Sequence, residues 1–279
     1  MSDDLMSWLG RRETTTMVLH PWQAQALTAS LDVGGGDLGE GDSLPPLWQW
    51  LYFLETAPRS RIGVDGHPQK GGFMPPVPQP RRMFAGGRSR YARPLVLGKV
   101  ASQTREILKI EEKTSGSGAL VFVTVGYDYH QDGELCVREA RDFVFLNPQP
   151  TAPAATPVSV DEPPAGRWRL SLVPDPVLLF RFSALTFNGH RIHYDTAYAQ
   201  AEEGLAERVV HGPLTAILLG ELVRLEAGRA MTGFEFRARK PFFVDQRLNL
   251  DGESDGEGAI TLTASASAGG LMTARATLR

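Results

Sequence analysis

The sequence predicts an α+β protein built from two halves on one plan, each half an antiparallel sheet with one buried helix. Three observations support this prediction: both halves end in three strand-like runs, both place an apolar segment ahead of those runs, and a proline-rich stretch separates them. We therefore divide the 279 residues into a first half at 1–146, a linker at 147–165 and a second half at 166–279.

In the first half, the strand-like runs are rich in Val, Thr, Phe and Tyr with approximate alternation, which is typical of a sheet with one buried face. They cover residues 99–112, 119–130 and 134–146. The segment ahead of them, residues 46–54, reads PLWQWLYFL and is apolar on most faces. We predict a helix there, and a helix of this kind must be enclosed.

The second half repeats this arrangement after the linker. Six prolines between Asn147 and Pro164 lack the backbone N–H that a regular element needs, which is why we assign that stretch as a linker. A helix is predicted from Pro213 to Leu225, since Pro suits a first helical turn and the following residues are apolar nearly all round. The strand-like runs that follow cover residues 247–251, 259–267 and 271–278.

The first half also carries an insertion. The stretch from Pro46 to Pro94 spans 48 residues, whereas the corresponding stretch from Pro213 to Pro241 spans 28. The additional residues, about 20 in number, include a Pro- and Gly-rich stretch and the run RRMFAGG at 81–87. Long loops of this composition often form lids or binding walls, and an inert surface excursion fits the composition equally well.

Residues 182–214 hold the candidate chemistry. Three of the six histidines fall there, namely His190, His193 and His211. The first two follow an apolar run at 177–182, which we predict to be a strand entering a loop. His211 and Gly212 precede the helix that starts with Pro213, and the unpaired N–H groups of a first helical turn can polarise a carbonyl oxygen. Imidazoles beside a helix N-terminus predict an acid–base site with an oxyanion partner.

This stretch resembles the hydratase motif of the MaoC-like (R-specific enoyl-CoA hydratase) family. Ile-His at 192–193 matches the family's pattern, and His-Gly at 211–212 matches the pair that opens its central helix. Asn188 stands where the family usually has its catalytic Asp, and His190 where it usually has Asn. The resemblance implies a double hot dog, in which two antiparallel sheets each wrap around a central helix, and it implies a homodimer.

The variant LTFNGHRIHYD at 185–195, together with RRMFAGG, is similar to one subgroup of that family. The subgroup contains mitochondrial-type 3-hydroxyacyl-thioester dehydratases and bacterial hydratases of C5-dicarboxylyl-CoA esters such as itaconyl-CoA and mesaconyl-C4-CoA. The resemblance therefore implies a hydro-lyase that adds water to an unsaturated branched C5-dicarboxylyl-CoA and gives a citramalyl-CoA-type product. It implies no cofactor, because CoA is part of the substrate.

Hydration of an unsaturated thioester needs a base for water, an acid for the α-carbon and donors for the enolate oxygen. We predict His193 as the acid–base group, with Asn188 positioning water or substrate and the backbone N–H of Gly212 meeting the thioester oxygen. A loop histidine satisfied by backbone is the alternative for His193, and the matched register disfavours it. An amide cannot accept the proton that the usual Asp accepts, so either His193 acts nearly alone or one of three neighbours assists: His190, Asp195 or Glu202.

A second set of residues is predicted to bind the substrate. A dicarboxylyl thioester carries a free carboxylate, and burying it unpaired is prohibitive, so a cation or several strong donors must meet it. Arginine suits a carboxylate because its planar fork binds both oxygens. The predicted substrate-binding residues are His190, Tyr194, His211, Arg191, Arg82 and Arg88, and Arg81 and Arg90 are further candidates for the carboxylate.

The composition excludes several classes of protein. A net charge of −3 gives no reason to expect nucleic acid binding. No apolar run approaches the roughly 20 residues of a membrane span, and the N-terminus lacks an apolar signal core, so we expect a cytoplasmic protein. The single Cys136 excludes an intrachain disulfide. We predict no metal, because the histidine spacing is not that of a helical pair such as His-Glu-x-x-His and no Cys cluster accompanies it.

Three other functions stay open on the sequence. An (R)-3-hydroxyacyl-thioester dehydratase of fatty-acid metabolism would need a deep apolar tunnel rather than arginines at the acyl end. A regulator that binds acyl-CoA without turning it over is motivated by Asn188. A hot-dog thioesterase fits less well, because the motif belongs to hydratases.

Overall fold

In a computed structural model, the protein is described over residues 3–33, 36–115, 118–147, 167–267 and 269–279. Over these ranges the predicted α+β class is confirmed, with five α-helices and ten strands that all join one antiparallel sheet. None of the helices in these ranges is long and apolar enough to cross a membrane. The predicted linker at 147–165 lies, beyond Asn147, outside the described residues.

Each half places helices and 3-10 turns ahead of four consecutive strands. The first half contains α1 (Asp3–Met6), β1 (Arg12–Val18), α2 (Pro21–Leu31), 3-10 turns at Trp48–Leu51 and Arg59–Arg61, β2 (Arg81–Tyr91), β3 (Val100–Ser115), β4 (Gly118–Gln131) and β5 (Glu134–Leu146). The second half contains β6 (Trp168–Leu172), α3 (Pro176–Leu185), a 3-10 turn at Arg191–His193, α4 (Thr196–Ala201), α5 (Gly212–Glu226), β7 (Met231–Lys240), β8 (Leu248–Ser254), β9 (Ala259–Ala266) and β10 (Leu271–Leu278). Six of the strands correspond to the six predicted strand-like runs.

The sheet repeats one strand plan twice. Its order is β1-β3-β4-β5-β2-β7-β10-β9-β8-β6, so β1 to β5 and β6 to β10 occupy matching positions on either side of the β2–β7 junction. A helix follows the first strand of each half, α2 after β1 and α3 after β6, and these two helices pack against each other. This repeat agrees with the duplication that we inferred from the sequence.

The two predicted sheets meet edge to edge and form one continuous sheet. Strands β2 and β7 pair from Gly86 opposite Arg237 to Arg90 opposite Gly233. At Gly86 an added Cβ would lie 2.5 Å from the carbonyl oxygen of Phe236, so a glycine is required for this close approach. The run RRMFAGG, which we placed in a loop-like insertion, is therefore part of the central strand of the protein.

The predicted helix at Pro213–Leu225 is confirmed as α5. Its residues from Leu214 to Val223 are all buried, and it packs against all five strands of the second half. A helix that carries apolar side chains on all of its faces must be enclosed on every face. Complete burial of a Leu or Ile side chain stabilises the fold by about 1.5–3 kcal/mol. The second-half sheet therefore wraps a central helix, as predicted.

The helix predicted at 46–54 is wrong. Only Trp48–Leu51 is helical, as one 3-10 turn that follows Leu47 at φ 73° and precedes Phe53 at φ 57°. Left-handed backbone on both sides cannot continue an α-helix. Within the described residues, the first half therefore lacks a long central helix like α5.

The side chains of this segment explain the failed prediction. Trp48 Nε1 donates to Glu221 of α5 at 3.0 Å, and Trp50 Nε1 donates to Glu139 of β5 at 2.6 Å. The two indoles thus reach opposite halves of the protein. The segment is apolar on most faces because it is enclosed between the halves. Its sequence pattern is therefore the same as that of a buried helix.

The run at 177–182 is a helix rather than the predicted strand. It lies within α3, which has Asp175 as its N-cap: the Asp175 side chain accepts the N–H of Leu178 at 2.7 Å, and Pro176 occupies the first turn. The Asp-Pro pair was the signal of a helix start. The loop at 186–195 follows α3, and the histidine motif begins in this loop.

Candidate active site

The loop between α3 and α4 carries the hydratase-like motif, and its own hydrogen bonds fix its shape. Asn188 Oδ1 accepts the backbone N–H of His190 at 3.0 Å, which closes a turn of the Asx type. Residues Arg191–His193 then form one 3-10 turn. Because such a helix has three residues per turn, His190 and His193 lie on one side of the loop, with ring centroids 5.6 Å apart.

His193 is held as a neutral imidazole. Its Nδ1 donates to the carbonyl oxygen of Val209 at 2.7 Å, which leaves the lone pair on Nε2. Burial, with the neighbouring His190, lowers the pKa of His193 to about 3. Its ring stacks on that of His211, with centroids 3.6 Å apart and 18° between the planes. The Nε2 atom can therefore accept a proton, and the imidazolium that results is a strong acid.

His211 and Gly212 begin α5 beside this stack. His211 is the N-cap and is fully buried, with its Nε2 2.8 Å from Ser183 Oγ. Burial lowers the pKa of His211 well below its usual range. The His211 side chain does not cap the helix, so the positive end of α5 remains suited to an anionic oxygen. At Gly212 an added Cβ would lie 3.4 Å from Phe84 of β2, so the glycine widens the gap between the helix end and the first half.

A loop of the first half packs directly on the motif loop. Gly66 has a φ of 89°, and an added Cβ there would lie 1.8 Å from the carbonyl oxygen of Gly189. The N–H of Arg191 donates to the carbonyl oxygen of Asp65 at 2.9 Å. The insertion of the first half is therefore a wall of the site rather than an inert surface excursion.

This contact adds a fourth histidine to the site. The ring of His67 lies 4.1 Å from the ring of His190, centroid to centroid. We call His67, His190, His193 and His211 the histidine row. Sequence reasoning missed His67, and the one signal for it was a histidine within a long Pro- and Gly-rich insertion.

A buried ion pair lies behind His190. The Nε2 atom of His190 lies 3.7 Å from Glu203 Oε1, which is too long for a direct hydrogen bond. Glu203 Oε2 accepts from Arg81 Nε at 2.5 Å. Burial raises the pKa of Glu203, but His190 and Arg81 outweigh it and leave the pKa below its usual range. The Glu203 carboxylate is therefore ion-paired with Arg81 and is not available as a base.

A cavity of about 830 Å³ lies between the halves at this point. The first half supplies most of its wall, and the second half supplies Arg191, residues of α4 and the turn after α4. His67 is the member of the histidine row that lines the cavity. Four cationic side chains also line it, namely Lys70, Arg81, Arg82 and Arg191.

Three of these four cations have partners inside the protein. Arg81 pairs with Glu203, Arg191 Nη2 donates to Asp195 at 2.7 Å, and Lys70 donates to two backbone carbonyls. Within the described part of the chain, Arg82 makes no hydrogen bond or ion pair, and its guanidinium carbon lies 5.9 Å from the centroid of the Phe143 ring. Burial lowers the pKa of Arg82, which is partly enclosed. In the described chain, Arg82 is thus the one cation of the cavity without a hydrogen-bonded or ion-paired partner.

The same region contains the atoms of a potential metal site. Ligand atoms of Asp65, His67 and His190 all lie within 4.8 Å of one another. Asp65 Oδ2 and His67 Nδ1 are already hydrogen-bonded to each other at 3.0 Å, and the nearby charges of Arg82 and Lys70 oppose a cation. The absence of a metal stays a prediction.

The family follows from comparison with known proteins. The sequence pattern of hydroxyacyl-thioester dehydratase type 2 matches residues 47–244, more than half of the chain. The chain belongs to this family. Membership of the hydroxyacyl-thioester dehydratase type 2 family confirms the predicted MaoC-like resemblance and the prediction of a hydro-lyase.

Two relatives illustrate the range of the hydroxyacyl-thioester dehydratase type 2 family. The mesaconyl-C(4)-CoA hydratase of Chloroflexus aurantiacus is 47% identical over 280 residues, which cover 96% of this chain and 99% of that protein. The mitochondrial hydroxyacyl-thioester dehydratase type 2 of Schizosaccharomyces pombe is 30% identical over 235 residues, which cover 75% of this chain and 77% of that protein.

Solved structures show the fold of this family member. The MaoC-like dehydratase of Phytophthora capsici has a TM-score of 0.72 at 14% identity and covers 100% of this chain and 98% of its own. A protein of Mycobacterium tuberculosis with a double hot-dog fold has a TM-score of 0.58 at 13% identity and covers 97% of this chain and 96% of its own. The predicted double hot dog is thereby confirmed.

In this hydroxyacyl-thioester dehydratase type 2 protein, most predicted site residues lie close together. His190, His193, His211 and Gly212 form the row and the helix end described above, and Arg82 and Arg191 line the cavity. Tyr194 is exposed, and its hydroxyl donates to the carbonyl oxygen of Gly189 at 3.1 Å. Arg88 points away from the cavity: it is exposed and donates to Asp142 at 3.3 Å. The structure does not bring these last two to the cavity.

Proposed function

We propose that this protein hydrates an unsaturated branched C5-dicarboxylyl-CoA, such as mesaconyl-C4-CoA (also called 3-methylfumaryl-CoA) or itaconyl-CoA, to a citramalyl-CoA-type product. The observation that carries the substrate class is Arg82, which has no hydrogen-bonded or ion-paired partner in the described chain and lines a cavity beside the histidine row. The 47% identity to a mesaconyl-C(4)-CoA hydratase over nearly the whole chain supports the same class.

The free carboxylate of such a substrate needs a cation inside the protein. A buried carboxylate without a partner is prohibitive, and a buried guanidinium without a partner is equally unfavourable. Arg82 and the carboxylate would compensate each other, through two parallel hydrogen bonds. Arg81 and Arg191 are less suited, because each already has a carboxylate partner in the described chain.

The thioester end is proposed to lie at the N-terminus of α5. The backbone N–H of Gly212 would donate to the thioester oxygen and stabilise the enolate that forms when water adds to the β-carbon. His193 is the acid–base group for the α-carbon. In hydration its neutral Nε2 takes up a proton and passes it to the α-carbon, and in the reverse direction the neutral Nε2 takes the proton from the α-carbon. Asn188 holds the loop through its bond to His190 and cannot supply a base.

An (R)-3-hydroxyacyl-thioester dehydratase is the second candidate, and an aromatic cluster near Gly212 favours it. Phe84 contacts three aromatic rings at centroid distances of 5.4–5.9 Å, those of Trp50, Phe143 and Phe236. Such a cluster suits an apolar acyl chain. The relative of 30% identity is named a hydroxyacyl-thioester dehydratase, but its match covers a smaller part of this chain than the match to the hydratase.

A panel of CoA esters tests the proposal. We would incubate the purified protein with mesaconyl-C4-CoA, itaconyl-CoA and crotonyl-CoA and follow the gain of one water by mass spectrometry. We expect a C5-dicarboxylyl ester to be preferred by a factor of about 10 or more in kcat/KM. Preference for crotonyl-CoA would instead support the dehydratase, and tight binding without turnover would support an acyl-CoA-binding regulator.

We also propose a cytoplasmic homodimer that takes part in the degradation of branched C5 diacids such as itaconate. Support for the dimer comes from exposed apolar side chains on the adjacent helices α2 and α3: Trp22, Val177 and Phe180. Sedimentation of the wild type and of Phe180→Glu checks this. A wild-type monomer would contradict it.

A further inference from the structure

Asp65 and His67 form a hydrogen-bonded pair on the wall of the cavity. Asp65 Oδ2 accepts from His67 Nδ1 at 3.0 Å, and Asp65 Oδ1 accepts the backbone N–H of His67 at 3.0 Å. A carboxylate at Nδ1 fixes the tautomer of the ring, which leaves the lone pair on Nε2, and it stabilises the imidazolium. His67 is therefore built as a base, and it lines the cavity.

The pair is locked to the loop that carries the hydratase motif. The Gly66–Gly189 contact and the bond from the Arg191 N–H to the Asp65 carbonyl oxygen join the two loops. Arg191 Nη1 also donates to the carbonyl oxygen of Val64 at 3.2 Å. His67 therefore keeps a fixed position relative to His190, although it belongs to the other half of the protein.

The proposed hydration needs such a group. Asn188 replaces the carboxylate of the motif, and its oxygen is already occupied by the N–H of His190. Glu203 is engaged by Arg81. His193 lies beside the helix N-terminus, which is the thioester end, so it faces the α-carbon. No base has yet been assigned at the β-carbon, where water must add.

Arg82 places the β-carbon near His67. In mesaconyl-C4-CoA the β-carbon bears the carboxylate, which we assigned to Arg82. Arg82 and His67 line the same cavity, and the charge of Arg82 is among the causes that lower the pKa of His67, after burial. Water that attacks the β-carbon is therefore closer to His67 than to the thioester end.

We propose that His67, oriented by Asp65, is the general base that activates water in this hydration. This inference rests on the proposed function. His67 Nε2 removes one proton from water as the water oxygen bonds to the β-carbon. The π electrons of the double bond move through the α-carbon onto the thioester oxygen at Gly212. As the enolate forms, neutral His193 takes up one proton from solvent at Nε2 and passes it to the α-carbon, which returns His193 to its neutral state. The proton on His67 leaves to solvent, so the net reaction is the addition of one water.

The test is His67→Gln, which keeps the size of the side chain and a donor to Asp65. We expect kcat to fall by about 100-fold or more, the lower end for acid–base catalysis, with KM changed by less than about 5-fold. Asp65→Asn should lower kcat by about 10-fold or more, because it disturbs the tautomer. The control is His130→Gln, the same change at a histidine of β4 that lies outside both the cavity wall and the histidine row, and it should leave kcat unchanged.

A rescue separates catalysis from loop structure. Adding Asn188→Asp to His67→Gln returns a carboxylate to the motif, and we expect it to restore at least about 10-fold of the lost kcat. Three results would overturn the proposal: a loss confined to KM, a loss of kcat that Asn188→Asp does not relieve, or one zinc per chain bound to the wild type and lost in His67→Gln. The assays use the unsaturated thioester that the wild type hydrates fastest, so a wild-type preference for crotonyl-CoA counts against the proposed substrate and leaves this test intact.

Discussion

Gly66 and Gly189 meet backbone to backbone, and this contact joins the insertion of the first half to the motif loop of the second. A Cβ added at Gly66 would lie 1.8 Å from the carbonyl oxygen of Gly189, and one added at Gly189 would lie 2.9 Å from that of Gly66. Neither position accepts a side chain unless the loops separate. The site is thus assembled from both halves of the duplicated fold.

Gly66→Ala should therefore disrupt the site. A displacement of about 1 Å in a catalytic group can cost roughly 100-fold in rate, and we expect a fall of this size in kcat. The matched control is Gly71→Ala, because Gly71 has a similar φ of 92° and an added Cβ there meets nothing within 4 Å. It should lose only the 1–2 kcal/mol or so of a left-handed residue, measured by urea unfolding, and keep its kcat. Equal kcat values for the two variants would contradict the role of the contact.

The histidine row makes stability depend on pH. A histidine in the unfolded chain has a pKa of about 6.5, whereas that of folded His193 is about 3. Between these values the unfolded chain binds a proton that the folded chain does not, so the free energy of unfolding falls as pH falls from about 6.5 towards 3. Burial lowers the pKa values of His67 and His211 in the same direction.

Thermal unfolding between pH 8 and pH 4 measures this dependence. We expect a flat melting temperature above about pH 6.5 and a decline below it. His193→Gln cannot titrate, so its decline should be shallower than that of the wild type. A parallel decline in both proteins would assign the pH dependence to other groups.

The sequence predicted the second half better than the first, for a physical reason. Helix α5 is enclosed by five strands of its own half, so its apolar sequence pattern correctly predicted a buried central helix. The segment at 46–54 is equally apolar, but its enclosure comes from both halves, and its two indole N–H groups need acceptors on opposite sides. A single sequence shows that a segment is buried, but it does not show which parts of the protein bury it.

The candidate site divides in the same way. The sequence predicted His211 and Gly212 at the start of α5, because the Pro signal is local in sequence, and the resemblance to the family's motif predicted His193 as the acid–base group of the same site. His67 could not be found by such reasoning, since its contact with His190 depends on how two distant loops pack. The same holds for Arg82, which differs from Arg88 by the face of β2 on which it lies.

Glu139 should prove to be a structural anchor of the first half. It is buried, and its carboxylate accepts from Trp50 and from Arg141 Nε at 2.7 Å. Glu139→Gln leaves the Arg141 charge without its carboxylate partner, so we expect a loss of about 3 kcal/mol or more in urea unfolding. The control is Glu134→Gln, whose exposed pair with Arg93 at 3.4 Å should contribute less than about 1 kcal/mol. Similar losses in both variants would contradict the anchor.

Replacement of His193 by Ala should lower turnover by at least about 100-fold, since no other side chain of the row lies beside both His211 and the start of α5 in the described chain. The measurement is kcat by mass spectrometry, together with a melting curve at pH 8 to confirm folding. His130→Ala, outside the row, serves as the control and should keep its kcat. Near-normal turnover of the His193 variant would remove this residue from the mechanism.

The last prediction concerns the substrate carboxylate. Arg82→Met removes the cation of the cavity that has no direct partner in the described chain, but it keeps much of the apolar volume of the side chain. A hydrogen bond to a charged group contributes roughly 1.5–3 kcal/mol, so we expect kcat/KM for mesaconyl-C4-CoA to fall by about 10–100-fold. Crotonyl-CoA has no such carboxylate, and its kcat/KM should change by less than about 3-fold or should rise, because an unpaired buried charge has been removed. Arg88→Met is the matched control: Arg88 lies on the same strand, but it is exposed and paired with Asp142, so both substrates should be unaffected. If Arg82→Met lowers kcat/KM for the two substrates alike, Arg82 supports the shape of the cavity and does not bind the carboxylate. In that case one of the paired arginines, Arg81 or Arg191, must leave its carboxylate partner and bind the substrate instead.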